Sequence, residues 1–181
     1  MTLTHTILVA LTTKSHTGYE IWKTFEERLN FFWKATQQQI YRELGKMEKK
    51  GFVNSEIILQ QGRPNKKLYS ITEEGQIELE NWISLPSEPT VIREDLLVKI
   101  RAGDLVNPDI IVQELKHHHQ IHQENLNTYQ QREKDFLENI NNLSPSDYCR
   151  YLTLKRGIRY EYGWIEWCEE ALEYFTNLKL E

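Results

Sequence analysis

Residues Thr36–Thr72, TQQQIYRELGKMEKKGFVNSEIILQQGRPNKKLYSIT, carry the pattern on which the fold turns. Thr36 followed three positions later by Gln39 is a capping-box pair, in which each side chain can satisfy the other's free backbone amide. It predicts a helix with Ile40, Leu44 and Met47 on one face, at spacings of four and three. Lys49-Lys50-Gly51 ends that helix, with cations at the negative end of its dipole and glycine at the exit. Phe52–Leu59 is β-branched and apolar enough for a strand. Gln60–Asn65, holding Gly62 and Pro64, reads as a turn, and Lys66–Ile71 as the returning strand.

Working outward, Ile7, Leu8 and Leu11 mark a first helix and Lys14–Gly18 a polar turn. Ile21, Trp22, Phe25 and Leu29 mark a second helix. On the other side, Thr72 can cap a helix running through Leu79 and Trp82. Three helices, a hairpin and a further helix give a winged helix-turn-helix over residues 1–85. Leu85–Pro89 holds two of the five prolines and forms the expected boundary.

Residues 86–181 read as a helical dimerisation and effector domain. A short helix spans Arg93–Arg101, and two long helices, 109–142 and 147–178, flank a break at Ser144–Ser146. The expected fold class is therefore mainly α with a small β-hairpin wing, followed by an antiparallel pair of long dimerisation helices. Ile111, Leu115, Tyr129 and Phe136 lie along one narrow stripe; Ile158, Ile165 and Leu172 lie along another. Such seams need a partner, and a second copy of the chain is the expected one.

Charge separates the two halves. Residues 1–85 hold 11 Lys and Arg against 10 Asp and Glu, while residues 86–181 hold 11 against 17. Within 34–72 the balance is 8 basic to 3 acidic. A locally positive segment can engage phosphates on a protein of net charge −5, because screening confines the interaction to about 8–10 Å. The longest aliphatic run near the start, Ile7–Leu11, is too short for a membrane span, so a cytoplasmic protein without a membrane partner is expected. Cys149 and Cys168 have no disulfide or zinc spacing. No nucleophile, phosphate-loop or zinc-protease motif appears, so neither an enzyme nor a cofactor is expected.

In a helix-turn-helix the second helix enters the major groove. The outward residues of the helix beginning at Thr36 are Thr36, Gln37, Gln38, Tyr41, Arg42 and Lys46, and Arg63, Lys66 and Lys67 sit on the hairpin. Glutamine can pair with adenine and arginine with guanine or phosphate, so these nine are the candidate contacts to double-stranded DNA. In the second half, Arg156, Tyr160, Trp164 and Trp167 could stack and pair an aromatic carboxylate effector; the alternative is that the aromatics simply pack. His118 and His122, one helical turn apart, are weak candidates for a metal and read more simply as a polar interruption of the seam.

Together these segments resemble the PadR family of bacterial transcription regulators. The resemblance runs through Ile7–Leu11, His16–Ile21, Thr36–Tyr41 with Leu44, Glu48 and Gly51, then Gly62-Arg63, Lys67–Tyr69 and Ile71–Gly75. The second half, from Arg93-Glu94 with Leu97, Lys99 and Ile100, is similar to the longer-armed branch, which includes regulators of phenolic-acid detoxification and of virulence. The resemblance implies a homodimer on a roughly palindromic operator, with repression relieved by a small molecule. Two departures stand out: Arg42 where family members often carry proline, and Gly45 inside the helix. Gly45 costs about 1 kcal/mol relative to alanine and is expected to admit another backbone. Two other readings stay open: a winged-helix interaction module without DNA contact, and a metal-responsive switch at the histidines.

Overall fold

The computed structural model describes residues 3–29, 33–60, 62 and 65–177, with Arg28 described by its backbone alone. The chain divides into two compact units, Met1–Pro89 and Thr90–Glu181.

The first unit contains helices α1 (Leu3–Leu11), α2 (Gly18–Thr24), α3 (Gln37–Lys49) and α4 (Glu73–Ser84), with strands β1 (His16–Thr17), β2 (Val53–Ile58) and β3 (Lys66–Ile71). A π-helical turn, Phe25–Leu29, continues α2. The capping box predicted for α3 is formed: Gln39 N–H donates to Thr36 Oγ1 at 3.3 Å, and Thr36 N–H donates to Gln39 Oε1 at 2.8 Å. α2 starts on a second box, Thr17 with Glu20. Gly51 takes φ +75°, the left-handed conformation that lets the chain turn from α3 into β2 at no steric cost.

The sheet is antiparallel, in the order β1-β3-β2. The wing is therefore more than the expected hairpin. Residues 16–17, read as part of a polar turn, pair with Tyr69 and Leu68. Two residues carry no periodicity, and their partners lie some fifty positions away, so this strand leaves no local trace.

Ile7, Leu8, Ile21, Ile40, Leu44 and Met47 are wholly buried and, with Phe25, Val53 and Tyr69, form the core that fixes α3 against its neighbours. Burying each large aliphatic side chain stabilises the unit by about 1.5–3 kcal/mol. Gly75 explains part of the motif that follows the wing. A Cβ there would lie 2.1 Å from the Phe52 carbonyl oxygen, so only glycine lets α4 start this close to the end of α3's exit turn. Among the described residues nothing lies within 4 Å of the absent Cβ of Gly45, so the space beside it is open.

The second unit contains α5 (Asp95–Arg101), α6 (Pro108–Leu137) and α7 (Pro145–Asn177), with 3-10 turns at Gly103–Leu105 and Ile140–Asn142. Asn107 caps α6 and Pro108 occupies its first turn, where a missing N–H costs nothing. Leu96, Ile111, Val112, Leu115, Cys168 and Phe175 form its core. The seam residues Ile111, Leu115, Tyr129, Ile158 and Ile165 are all buried within this one chain, and Phe136 and Leu172 are half-buried. The partner for the two stripes is thus the other long helix of the same chain. Among the described residues, no helix is long and apolar enough to cross a membrane.

Candidate nucleic-acid interface

α3 has two chemically distinct faces. Ile40, Leu44 and Met47 have no exposure at all. Thr36, Gln37, Gln38, Tyr41, Arg42 and Lys46 are all exposed. The core thus sets the orientation of the helix, and its polar residues are left to solvent. Tyr41 rests on the first residue of α2: a Cβ on Gly18 would sit 2.4 Å from its ring, so glycine is what makes room for the tyrosine.

Acidic residues steer several of the cations. Glu43 accepts from Thr4 Oγ1 at 2.5 Å and from Lys46 Nζ at 2.9 Å, joining α1 to α3. Partial burial pushes the Glu43 carboxyl up, but those hydrogen bonds prevail and hold it below the usual range. Glu48, near the end of α3, accepts from Ser55 Oγ and from Lys67 Nζ, the latter at 3.1 Å. These hydrogen bonds, Ser55 first, lower the Glu48 carboxyl and clamp the wing to α3. Lys67 is correspondingly raised. Among the described residues, Arg42 and Lys66 take part in no ion pair, so their charge is uncommitted. Arg63, with Pro64, lies outside the described residues.

At the amino end of α3, Lys34, Ala35, Thr36 and Gln39 border an open depression of about 240 Å³ with Glu26. Lys34 belongs to the basic segment, and its place beside the helix start makes it a ninth described candidate. Also absent from the sequence-based set are Ile57 and Leu59, whose aliphatic side chains stand exposed on the wing.

In the second unit, Arg156, Tyr160 and Trp164 come together on α7. The Arg156 guanidinium lies 5.9 Å from the Tyr160 ring centroid, and Tyr160 meets Trp164 edge-on at 6.3 Å. Trp164 and Trp167 pack against the core of the unit, however. An open cavity of about 200 Å³ on α7 is lined by Leu152, Lys155, Arg156 and Arg159, so of the four proposed pocket residues only Arg156 borders it.

His122 and His118 have ring centroids 6.2 Å apart. His122 stacks on Trp164 at 4.9 Å, and its Nδ1–H donates to Glu161 Oε2 at 2.5 Å. Glu161 is 2 % exposed, a buried carboxylate in the seam that sequence reading missed. His118 lies 3.9 Å from Glu114, and burial lowers its pKa against the opposing pull of that carboxylate. No group of three His, Cys, Asp or Glu side chains converges on a metal position among the described residues.

Known proteins share this arrangement along the whole chain. The profile of the transcriptional regulator PadR-like family matches residues 7–81, and that of the virulence activator alpha C-terminal domain matches residues 92–176. A probable transcriptional regulator of Mycobacterium tuberculosis is 34% identical, over 96% of this chain and 97% of that protein. The negative transcriptional regulator PadR of Bacillus subtilis is 27% identical over 94% and 95%. The crystal structure of Bacillus subtilis PadR in complex with operator DNA superposes with a TM-score of 0.84 at 25% identity, covering 95% of this chain and 97% of that one. These relatives are named as regulators and not as enzymes. With identity and fold matched over nearly its full length, the chain belongs to the PadR-like family of transcriptional regulators.

Proposed function

We propose that the protein is a repressor that binds operator DNA as a homodimer, with α3 in the major groove and the β2–β3 wing on the adjacent backbone. The observation that carries this reading is the division of α3: a wholly buried apolar face holds the helix, and every polar candidate, Thr36 to Lys46, faces outward. The Bacillus subtilis relative, named a negative regulator and solved on operator DNA, supports the repressor and DNA parts. A mobility-shift titration against the region upstream of the protein's own gene tests it. Binding there should be at least a thousandfold tighter than to random duplex, on the order of the usual specificity ratio. Equal affinity for both duplexes would sink the reading. Lys66→Ala should lower the salt slope by about 1.

The dimer is supported by the outer face of α7. Tyr148, Leu152, Arg156, Arg159, Tyr160 and Gly163 run along it, followed by Glu166, Glu170 and Glu173, all exposed. Basic residues precede Gly163 and acidic ones follow it. A second α7 crossing antiparallel at Gly163 sets Arg156 against Glu170 and Arg159 against Glu166, each pairing repeated by the twofold axis. Open space around Gly163 lets the two helices approach. Arg156→Glu with Arg159→Glu should shift sedimentation from dimer to monomer, and adding Glu166→Arg with Glu170→Arg should restore the dimer. The same basic stretch, with Tyr160 under Arg156, suits a small aromatic anion as the effector.

A further inference from the structure

We propose that Ile57 and Leu59 of the wing form an apolar contact with the minor groove of the operator and make the protein prefer A·T pairs beneath it. The inference rests on the DNA-binding reading above and adds a recognition element that the charged residues do not supply.

β2 is an edge strand of the three-stranded sheet. Alternate residues of a strand share a face, so Val53, Ser55 and Ile57 belong together. Val53 is buried at 1 % and Ser55 donates to Glu48 of α3. Ile57 stands directly opposite Lys67, which also holds Glu48. This face of the wing is therefore the one turned to α3. Beyond the Glu48 clamp the described residues give it no further cover: Ile57 is 64 % exposed, and Leu59, just past the end of β2, is 80 % exposed. Exposed edge strands ordinarily carry charges, proline or a bulge, because bare aliphatic edges invite association. Two uncovered aliphatics here call for an occupant.

Charge selects the occupant. Lys67 stands beside Ile57 on one face of the wing and Lys66 beside Ile58 on the other, within a segment rich in basic residues. Pairing two such wings edge to edge would bring the uncommitted Lys66 of each copy into one neighbourhood, which disfavours a second copy. The minor groove has the complementary chemistry, with sugar C–H walls between two rows of phosphates. Its floor also discriminates. A G·C pair projects the guanine 2-amino group into the groove and an A·T pair does not, so an aliphatic side chain seats more deeply over A·T. Lysines beside apolar side chains thus fit the rim and the floor of one groove together.

The test uses the full chain and the operator duplex located by footprinting upstream of its gene, with affinity read by fluorescence anisotropy at several salt concentrations. Ile57→Thr with Leu59→Ser, which keeps β-branching within the strand, should weaken binding about tenfold or more with no change in salt slope or melting temperature. Replacing A·T pairs under the wing by G·C should weaken the wild type, and inosine·C pairs, which lack the 2-amino group, should restore it. The double variant should be indifferent to all three. If the wild type binds the operator tightly and the variant binds it equally well, or keeps the A·T preference, the apolar contact is overturned while the DNA-binding reading stands. A change in sedimentation with unaltered affinity also overturns it, assigning the strip to a second copy. Failure of the wild type to distinguish operator from random duplex removes the DNA-binding reading itself.

Discussion

α3 and α7 each bury one face, and they differ in what the two faces are made of. In α3 the buried side is purely aliphatic and sulfur-bearing, and the exposed side is polar but for the Tyr41 ring. In α7 the buried side includes the carboxylate of Glu161, while the outer side keeps Tyr148, Leu152, Tyr160 and Tyr174 in solvent. α3 is therefore a helix complete in water, with its polar surface ready for a charged polymer. α7 is incomplete: aromatic surface left outside and a polar group held inside both suit a helix that defines one specific arrangement more than it maximises stability.

The largest effect should come from breaking the polar contact inside the α7 seam. His122→Ala leaves Glu161 buried without the imidazole that donates to it, and removing one member of such a pair typically costs about 3–5 kcal/mol. His122→Leu combined with Glu161→Met should recover most of that loss, since it replaces both polar groups by apolar ones of similar size. Urea unfolding of the three proteins measures this. A His122→Ala protein as stable as the wild type would mean that the seam of α7 is held as the core of α3 is, by apolar contact alone.

A smaller effect is expected at the start of α3. Thr36→Ala removes the oxygen that accepts from Gln39 N–H and should cost about 1 kcal/mol. Thr36→Ser keeps the acceptor and should cost little. Because Thr36 also belongs to the proposed DNA surface, the serine variant separates capping from contact. Wild-type stability with weakened operator binding would assign Thr36 a role at the interface as well. Loss of stability in the serine variant would contradict the capping geometry.

The contrast between the helices also decides what could be read without coordinates. The capping box, the buried triad Ile40, Leu44 and Met47, and the outward polar set of α3 are local patterns, since a helix's own periodicity separates its faces. The stripes on α6 and α7 were equally visible, but a stripe does not say whose helix fills it. The fill came from the same chain, because the short connection at residues 138–144, with its 3-10 turn Ile140–Asn142, folds α7 back along α6. Glu161 was invisible for a related reason: its partner His122 lies 39 positions away, and a glutamate in a helical pattern reads as solvent-facing. In the sequence Ile57 and Leu59 mark only a strand. Composition gives a strand its propensity, but edge position and the length of the core decide which aliphatics stay uncovered.

Acid should reach the two units at different pH, which sharpens the comparison with the gentlest perturbation. His118 on α6 is held below its ordinary value of 6.5, first by burial, against the raising influence of Glu114 and Glu94. A histidine depressed in the folded state is protonated more readily in the unfolded chain. Its contribution to stability is complete above 6.5 and is lost as pH falls from there through its folded value. Glu48, beneath the wing, is held below 4.5 by Ser55 and Lys67. Its contribution is complete above 4.5 and is lost only as pH falls through its lower folded value. Glu48 is solvent-accessible, so its effect on stability is small, and the sensitive measurement is the titration itself. Proton resonances of His118 should show a midpoint below 6.5, and the carboxyl carbon of Glu48 a midpoint below 4.5 that rises in Ser55→Ala. Between those two values acid should loosen the second unit while leaving the wing clamped to α3. A His118 midpoint at or above 6.5, or a Glu48 midpoint indifferent to Ser55, would erase that separation and with it the view that the α3–wing clamp is the more acid-resistant of the two.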